Sequence, residues 1–436
     1  MKKIRNLTGM QKFTFIWSGQ FLSVMGSSMT RFAFLIWAYE QTGKASTTAL
    51  LGFFAYLPYI ILSPLAGIIV DKWDRKKIMI ISDLFSGLLT IILLMTYLSN
   101  NMLIWYLFVF VAFSSALEAF QVPAYSASIT VLIPKDKYGQ ASGMRSLSSN
   151  ASLIAAPILT GALLGIIGFM GIMVIDIITF IFAVSTLLMV TFPKVLKDNI
   201  SEKSHMLEDL KFSLKYLFDR RGLLYLLGVF MVINLLAATT YFGILPAYIL
   251  ARTNKNEVIL GMVQTALGVG GVIGSLFVSI YGIPKKKIIT IILTGMSSFL
   301  LGDILMGLGQ TAFMWIIASV LSSLFLPLLM GAESALWQSK IEPSIQGRIF
   351  SIKGMLSLSM MPIGFLLGGF LADYVFEPMF MKQTVFTFLV GNNLGSGMGL
   401  MFLISGVLGT ITCLSGYFIR SIRNVEGDLP DFDEIQ

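Results

Sequence analysis

Charged side chains inside long apolar segments are the residues of this sequence with the most informative chemistry. Glu118 and Glu333 are carboxylates in such segments, and Arg31 is a guanidinium in another. A charge at the centre of a membrane-spanning helix costs at least about 2.5–3.5 kcal/mol, so each one needs a partner or a role. Glu118 could exchange a proton or bind a cationic ligand, and Glu333 is the second candidate for either task. Arg31 could instead hold Glu118 in a permanent ion pair, and the sequence leaves these alternatives open.

The residue sets that several other kinds of chemistry require are missing from the sequence. It has one histidine, His205, and one cysteine, Cys413, too few for a zinc site or a Ser-His-Asp or Cys-His catalytic set. It also lacks the G-x-x-x-x-G-K-[ST] loop that binds nucleotide phosphates. We therefore expect no enzyme activity, no metal and no cofactor. Energy for any activity would come from an ion gradient, with the proton gradient the expected one, or from the concentration gradient of a substrate.

The composition indicates that these charges belong to a membrane protein. Of the 436 residues, 56% are hydrophobic and 12% are charged, and that charged share is about half of the usual one. So few charges could not cover a water-facing surface, whereas a lipid bilayer requires no such surface. The net charge of +8 is distributed among alternate loops and forms no single patch. We therefore expect the bilayer as a partner and no nucleic acid.

Long apolar runs predict twelve membrane-spanning helices, because a span needs about 20 predominantly apolar residues. The runs are too long for barrel strands and lack their alternating pattern. The N-terminus, MKKIRNLTGMQK, is basic but has no cleavage site after a short apolar region, so the first run is a span and not a signal peptide. The predicted spans are 13–39, 47–70, 78–99, 103–133, 141–167, 170–191, 223–250, 257–281, 288–308, 312–340, 347–374 and 398–420.

The distribution of Lys and Arg predicts the orientation of the spans. If the N-terminus is cytoplasmic, the inner segments carry 26 of the 31 Lys and Arg residues and the outer segments carry four. Such an excess in the cytoplasmic loops is the usual determinant of topology. Both termini are therefore predicted to lie in the cytoplasm.

A polar stretch near the middle divides the chain into four predicted parts. They are an N-terminal six-helix bundle (1–192), a cytoplasmic linker (193–222), a C-terminal six-helix bundle (223–420) and a cytoplasmic tail (421–436). Leucines in the linker recur at the spacing of an amphipathic helix that lies on the membrane surface. These leucines are Leu207, Leu210, Leu214 and Leu217.

The two halves also resemble each other in sequence. AYSASITVLIPKDKYG (124–139) is similar to AESALWQSKIEPSIQG (332–347), at an offset near 208 residues. Repeated six-helix halves are typical of secondary transporters, which bind substrate between the halves near the middle of the bilayer. A duplicated scaffold without transport activity is the alternative.

The segment GIIVDKWDRKK (67–77) resembles the signature loop of the major facilitator superfamily, which lies between the second and third spans. The resemblance implies an all-α membrane protein with twelve transmembrane helices in two pseudo-symmetric six-helix bundles, the major facilitator fold. Asp74 departs from the usual glycine. The family also implies a conformational latch in which the signature carboxylate contacts the start of the eleventh span. The residues expected in this latch are Gly67, Asp71, Arg75, Arg348 and Arg145.

Longer segments resemble the macrolide-efflux-type drug:proton antiporters, a group that includes siderophore exporters. They are FLSVMGSSMTRFAFLIWAYEQTG, FQVPAYSASITVLIPKDKYG, QGRIFSIKGMLSLSMMPIGFLLGGFLADYVFEP and GSGMGLMFLISG. The resemblance implies proton-coupled export of small amphipathic compounds, such as macrolide-like drugs or siderophores, by a monomer in the bacterial cytoplasmic membrane. Movement of lysophospholipids or other lipids, and a non-transporting receptor or scaffold, are the alternatives.

The same resemblance assigns further expected roles. The antiporter motif of the fifth span is retained in part, at Gly143, Pro157 and Gly161, while Ser114 stands where many relatives have an arginine early in the fourth span. Position along the spans, and not the resemblance, gives the expectations for three aspartates: Asp83, near the basic loop, is expected to be structural, and Asp176 and Asp303, near the outer ends of their spans, are expected to be hydrated. The residues expected to line the substrate cavity are Gln20, Gln121, Tyr125, Asn234, Tyr241, Trp337 and Gln338.

Overall fold

The computed structural model describes residues 8–134, 137–192, 206–380 and 386–431, and helices account for nearly all of them. We number the helices in chain order. The first half contains α1 (Gly9–Thr42), α2 (Ala45–Lys72), α3 (Arg75–Leu98), α4 (Ile104–Leu132) and α5 (Tyr138–Met189). The remaining helices are α6 (Met206–Asp219), α7 (Arg221–Thr239), α8 (Leu245–Arg252), α9 (Glu257–Tyr281), α10 (Lys287–Leu308), α11 (Ala312–Lys340), α12 (Ile345–Phe380), α13 (Thr387–Val390), α14 (Ser396–Phe418), α15 (Arg420–Arg423) and α16 (Val425–Asp428).

One helix accounts for two membrane crossings. Within the described residues, eleven helices are long and apolar enough to span a membrane, and α5 is the longest at 52 residues. At 1.5 Å per residue it would extend about 78 Å, more than twice the thickness of the hydrocarbon core. Gly168 interrupts α5 with φ of 66° and ψ of −179°, so the chain turns back there. With the two halves of α5 counted separately, the described residues contain twelve segments long and apolar enough to span a membrane, and the predicted all-α membrane fold is confirmed.

The beginnings of α1 and α3 show how local sequence sets the helix ends. Thr8 and Gln11 form a reciprocal capping box that satisfies free N–H groups at the start of α1. Asp74 caps α3 by accepting hydrogen bonds from the N–H groups of Lys76 and Lys77 at 2.9 and 3.2 Å. This cap explains the departure from the family glycine, because an aspartate at this position satisfies two donors that a glycine would leave free.

The chain forms two compact units. The first unit consists of Met1–Gly43, Leu50–Ile200 and Asn256–Thr265. In this unit α1 packs along α5. Two glycines of α1 permit this close approach, since a methyl group on Gly19 would lie 2.4 Å from Thr186 Oγ1 and one on Gly26 would lie 2.4 Å from Thr179 Oγ1. The helices are therefore held close together beside the polar groups described below.

The second unit consists of Lys44–Ala49, Ser201–Lys255 and Ala266–Gln436. Its core includes the fully buried Leu223, Leu336 and Ile349. Ile422 and Val425, which follow the last span, join the same core. Part of the predicted tail over 421–436 therefore packs against the bundle. The predicted linker over 193–222 includes a helix, α6, but 193–205 and the side chains of Leu207 and Leu210 lie outside the described residues.

Candidate functional site

A polar cavity of about 490 Å³ lies inside the first unit. Its walls are formed by α1, α3, α4 and both halves of α5. Hydroxyl and amide side chains make up much of the lining, and five charged residues face it. These five are Arg31, Asp83, Glu118, Arg145 and Asp176.

Arg31 and Glu118 form an ion pair on the cavity wall. Arg31 Nη1 donates to Glu118 Oε2 at 3.0 Å, and the two side chains remain 41% and 45% exposed. An ion pair with this exposure contributes about 0–1 kcal/mol to stability, because water competes for both groups. A bound ligand can therefore separate Arg31 from Glu118 at little cost to the fold.

Asp83 lies in a closed ring with two glutamines. Gln20 Nε2 donates to Asp83 Oδ2 at 2.8 Å, and Gln121 Nε2 donates to Asp83 Oδ1 at 2.5 Å and to Gln20 Oε1 at 3.2 Å. Amide N–H groups only donate, so the arrangement matches a carboxylate acceptor. The ring connects α1, α3 and α4, and the two glutamines therefore serve Asp83 as well as the cavity.

Asp176 lies deeper, among hydroxyl groups. Ser27 Oγ donates to its Oδ1 at 2.9 Å, and Thr90 Oγ1 donates to its Oδ2 at 3.2 Å. Only 4% of Asp176 is exposed. Asp303, in the second unit, is also buried and accepts a hydrogen bond from Thr240 Oγ1 at 3.4 Å. Both aspartates are therefore buried, which depth along a span does not reveal because it does not specify the face of the helix that a side chain occupies. Their hydration stays a prediction.

Tyr125 and Arg145 complete one side of the cavity. The Arg145 guanidinium lies 5.2 Å from the centre of the Tyr125 ring, within the range of a cation–π contact. Both residues line the cavity, and so do Gln20 and Gln121. The predicted latch role of Arg145 remains a prediction.

The other expected latch residues have separate surroundings. Arg75 Nη1 donates to the Ala127 carbonyl at 2.8 Å, and the Arg348 guanidinium lies 5.1 Å from the centre of the Phe212 ring. A methyl group on Gly67 would meet no atom within 4 Å. The side chain of Asp71 lies outside the described residues. The latch therefore stays a prediction.

The antiporter-like helix packs closely against α9. A methyl group on Gly161 would lie 2.8 Å from the Glu257 carbonyl oxygen, and one on Gly261 would lie 2.7 Å from the Pro157 carbonyl oxygen. A methyl group on Gly143 would meet no atom within 4 Å. Small residues at the first two contacts therefore let the helix backbones approach each other.

Glu333 and Trp337 meet a cation that the sequence reasoning missed. Lys353 Nζ pairs with Glu333 Oε1 and lies 4.9 Å from the centre of the Trp337 ring. Glu333 and Trp337 are both buried. Lys353 is among the 26 Lys and Arg residues that the sequence assigns to the inner segments. Its position eight residues after the start of α12 is the signal that could have identified it.

The remaining expected lining residues make local contacts within the second unit. Asn234 Nδ2 donates to Ser357 Oγ at 2.9 Å, which connects α7 to α12. The Tyr241 ring lies edge-on to the Phe402 ring at 5.3 Å. Gln338 Nε2 donates to Ser334 Oγ at 3.1 Å on an exposed face. The structure does not group these three with Glu333 into one cluster.

A multi-pass helical protein with a charged polar cavity inside a membrane bundle has the architecture of a membrane transporter. The family model described as Major Facilitator Superfamily matches residues 16–364, and the chain belongs to that superfamily. The chain is 27% identical over 375 residues to Macrolide efflux protein A of Streptococcus pyogenes, with 84% of this chain and 90% of that protein covered. The predicted resemblance to the superfamily and to its macrolide-efflux-type members is confirmed.

Two further comparisons concern a second sequence relative and the fold. The chain is 26% identical over 371 residues to the Staphyloferrin A transporter of Staphylococcus aureus, with 82% of this chain and 89% of that protein covered. Its fold is similar to the crystal structure of a bacterial homologue of the human lysosomal transporter Spinster. That match has a TM-score of 0.66 and 14% identity, and it covers 96% of this chain and 98% of the other. Within the described residues, no group of three or more His, Cys, Asp or Glu side chains is arranged to hold a metal ion.

Proposed function

We propose that this protein exports small amphipathic compounds, in particular cationic macrolide-like molecules, in exchange for protons by alternating access. It acts as a monomer in the bacterial cytoplasmic membrane, with both termini in the cytoplasm. The observation that carries the proposal is the half-exposed Arg31–Glu118 pair on the wall of the polar cavity. Similarity to a macrolide efflux protein and to a siderophore transporter supports small amphipathic molecules as the substrate class.

The size and lining of the cavity suit such a ligand. Its volume of about 490 Å³ falls within the usual range for sites that bind drug-sized molecules. Phe110 and Val122 supply apolar surface beside the polar groups. A cationic amine can pair with Glu118 while the apolar part of the ligand contacts this surface, so one cavity serves both halves of an amphipathic molecule.

A proton gradient supplies enough energy for export. Exchange of one proton for one monovalent cationic substrate moves no net charge, so the pH difference across the membrane drives it and the membrane potential does not. One pH unit corresponds to about 1.4 kcal/mol per proton, which equals the free energy of a tenfold concentration ratio. One proton per substrate therefore supports about one order of magnitude of substrate gradient per pH unit.

The test is energised efflux of radiolabelled erythromycin from a bacterium that lacks its own drug pumps. The comparison includes the wild type, Glu118→Gln, empty vector and the control Asp219→Asn, which changes an exposed carboxylate at the end of α6. We expect the wild type and the control to expel the label, and we expect both Glu118→Gln and a protonophore to abolish this efflux. If expressed wild type and empty vector retain the label equally, and a siderophore panel gives the same result, the proposal fails.

A further inference from the structure

We propose that Asp176 binds the coupling cation, a proton or a sodium ion, and that the Arg31 side chain forms an ion pair alternately with Glu118 and with Asp176. The cationic substrate at Glu118 and the coupling cation at Asp176 are then bound in turn and not at the same time. This inference rests on the proposed export function and names the residues that would couple the two movements.

The surroundings of Asp176 suit a group that gains and loses a cation. Ser27 and Thr90 each place a hydroxyl group on one of its carboxylate oxygens. Thr30, which is 1% exposed, faces the same carboxyl group, and its hydroxyl has no hydrogen-bond partner of good geometry among the described residues. A hydroxyl group both donates and accepts. The hydroxyl groups of Ser27, Thr30 and Thr90 form a cage around Asp176. This cage can donate hydrogen bonds to a carboxylate, accept one from a carboxylic acid, or provide oxygen ligands to a small cation.

Asp83, the other buried aspartate of this cavity, has a different environment. Its partners Gln20 and Gln121 present N–H groups, and the oxygen of Gln20 is already occupied within the ring. The two groups that contact Asp83 are N–H donors, which favour its charged form and provide no oxygen ligand for a cation. Asp83 therefore has a structural role as a carboxylate, whereas Asp176 has a neighbouring hydroxyl group, that of Thr30, which is still available for a hydrogen bond.

The negative charge of the Asp176 carboxylate requires one positive charge to balance it. Its side chain forms no ion pair with any described residue, and an unpaired charge at such a depth is costly. The charged groups that face the same cavity are Arg31 from α1, Asp83 from α3, Glu118 from α4 and Arg145 from α5. One carboxylate surrounded by neutral hydroxyls balances one elementary charge, whereas calcium takes six to eight oxygen ligands and usually several carboxylates.

Arg31 lies where it can serve either acidic residue. It follows Ser27 by four residues, which puts both on one face of α1. Its guanidinium pairs with Glu118, and its charge also acts on Asp176. One guanidinium cannot neutralise two carboxylates. When Arg31 pairs with Glu118, Asp176 therefore keeps its cation.

A cationic substrate is expected to reverse this pairing of Arg31 with Glu118 and of the coupling cation with Asp176. Its amine binds Glu118 and frees Arg31, which turns to Asp176 and displaces the proton or sodium ion. The charge in the cavity is unchanged, because one cation enters and one leaves. Competition of this kind makes the two movements an exchange.

The first measurement uses purified full-length protein in lipid nanodiscs without any substrate. Infrared difference spectra between pH 5 and pH 9, with sodium or choline as the salt cation, report carboxyl groups that take up a cation. We expect a carboxyl signal that Asp176→Asn removes and that the matched control Asp303→Asn, another buried aspartate, retains. Sensitivity of this signal to sodium at fixed pH identifies a sodium site, and insensitivity identifies a proton site. A spectrum unchanged in Asp176→Asn would overturn the proposal.

Two conservative variants keep the test informative if Asp176→Asn does not fold. Ser27→Ala and Thr90→Val retain the carboxyl group but remove one cage hydroxyl each. We expect each to change cation affinity by about tenfold, the effect of losing one hydrogen bond to a charged group. Unchanged affinity in both variants would contradict the cage.

The second measurement follows cation release when erythromycin is added to the nanodiscs, with a pH dye and a sodium electrode. We expect about one cation released per substrate by wild type. Arg31→Gln is expected to bind substrate without releasing a cation, and release at the wild-type level would overturn the Arg31 step. The infrared signal requires no substrate. Loss of export with the Asp176 signal intact therefore counts against the proposed function and leaves the cation site standing.

Discussion

Glu118 accepts a hydrogen bond from Arg31 at 3.0 Å, although 87 residues separate them in the chain. The contact joins α1 and α4 inside the first unit. Because both side chains remain partly exposed to the cavity, the pair is accessible to a ligand. Its placement makes it a contact that can be exchanged during transport.

Replacement of Arg31 is expected to reduce transport without unfolding the protein. An exposed ion pair is worth about 0–1 kcal/mol, so Arg31→Gln should shift thermal unfolding by no more than a few degrees. Efflux should fall by about tenfold or more, and Arg31→Lys should restore part of it because the positive charge is retained. Thermal unfolding of purified protein and efflux in cells are measured side by side. A large loss of stability in Arg31→Gln would show that the pair is structural.

Loss of the Asp83 carboxylate is expected to destabilise the fold. Asp83→Ala leaves the N–H groups of Gln20 and Gln121 without this acceptor in a buried position. Each buried donor that loses its partner costs about 1–3 kcal/mol. Asp83→Asn keeps one acceptor oxygen and should be milder. The free energy of unfolding in detergent distinguishes the two variants, and equal stability of Asp83→Ala and wild type would contradict the ring.

Gly168 is expected to tolerate no side chain. Its φ of 66° with ψ of −179° belongs to a region that is essentially restricted to glycine. Gly168→Ala should therefore cost about 1–3 kcal/mol, because the turn between the two halves of α5 becomes strained. Gly165→Ala, three residues earlier, is the matched control, since a methyl group there would meet no atom within 4 Å. The thermal stabilities of the two variants are compared in the same detergent. Equal losses of stability would contradict the assignment of a glycine-specific backbone conformation to Gly168.

The sequence predicted the number of candidate spans well because the length of an apolar run can be read from consecutive residues. The twelve predicted runs match the eleven candidate helices of the described residues once α5 is divided at Gly168. Helix faces were harder to predict. Asp176 and Asp303 are buried, and Lys353 pairs with Glu333 inside the bundle, since rotation about a helix axis depends on neighbours that the sequence does not specify.

The end of the C-terminal tail is expected to be bound less tightly at low pH. Lys340 Nζ pairs with Asp431 Oδ1 at 2.8 Å. The hydrogen bond that Lys340 donates holds the pKa of the Asp431 carboxyl group below its ordinary value of 3.8. A lowered pKa means that the contact stabilises the folded tail above about pH 4 and is lost as the pH falls below that value. The effect is below about 1 kcal/mol because Asp431 is 40% exposed.

Hydrogen exchange of the amides from Val425 to Asp431, corrected for intrinsic rates, measures this release. Wild type should lose protection below about pH 4, whereas Asp431→Asn should show reduced protection already at neutral pH. Glu426 provides a second attachment, since its carboxylate accepts from the N–H groups of Lys287 and Ile288 at 2.9 and 3.2 Å. Identical pH profiles for wild type and Asp431→Asn would contradict the assignment to the Lys340 contact.

Glu333 and Lys353 are expected to depend on each other for stability. Their side chains are largely buried, and Lys353 also lies over the Trp337 ring. Removal of one partner leaves the other charge buried and unpaired, which costs about 3–5 kcal/mol, whereas replacement of both can be nearly neutral. Lys353→Met should therefore be strongly destabilising, and the double variant Glu333→Gln/Lys353→Met should recover most of the loss. A double-mutant cycle of unfolding free energies measures this coupling. If the two single losses simply add, the pair makes no net contribution and the contact with Trp337 alone holds Lys353 in place.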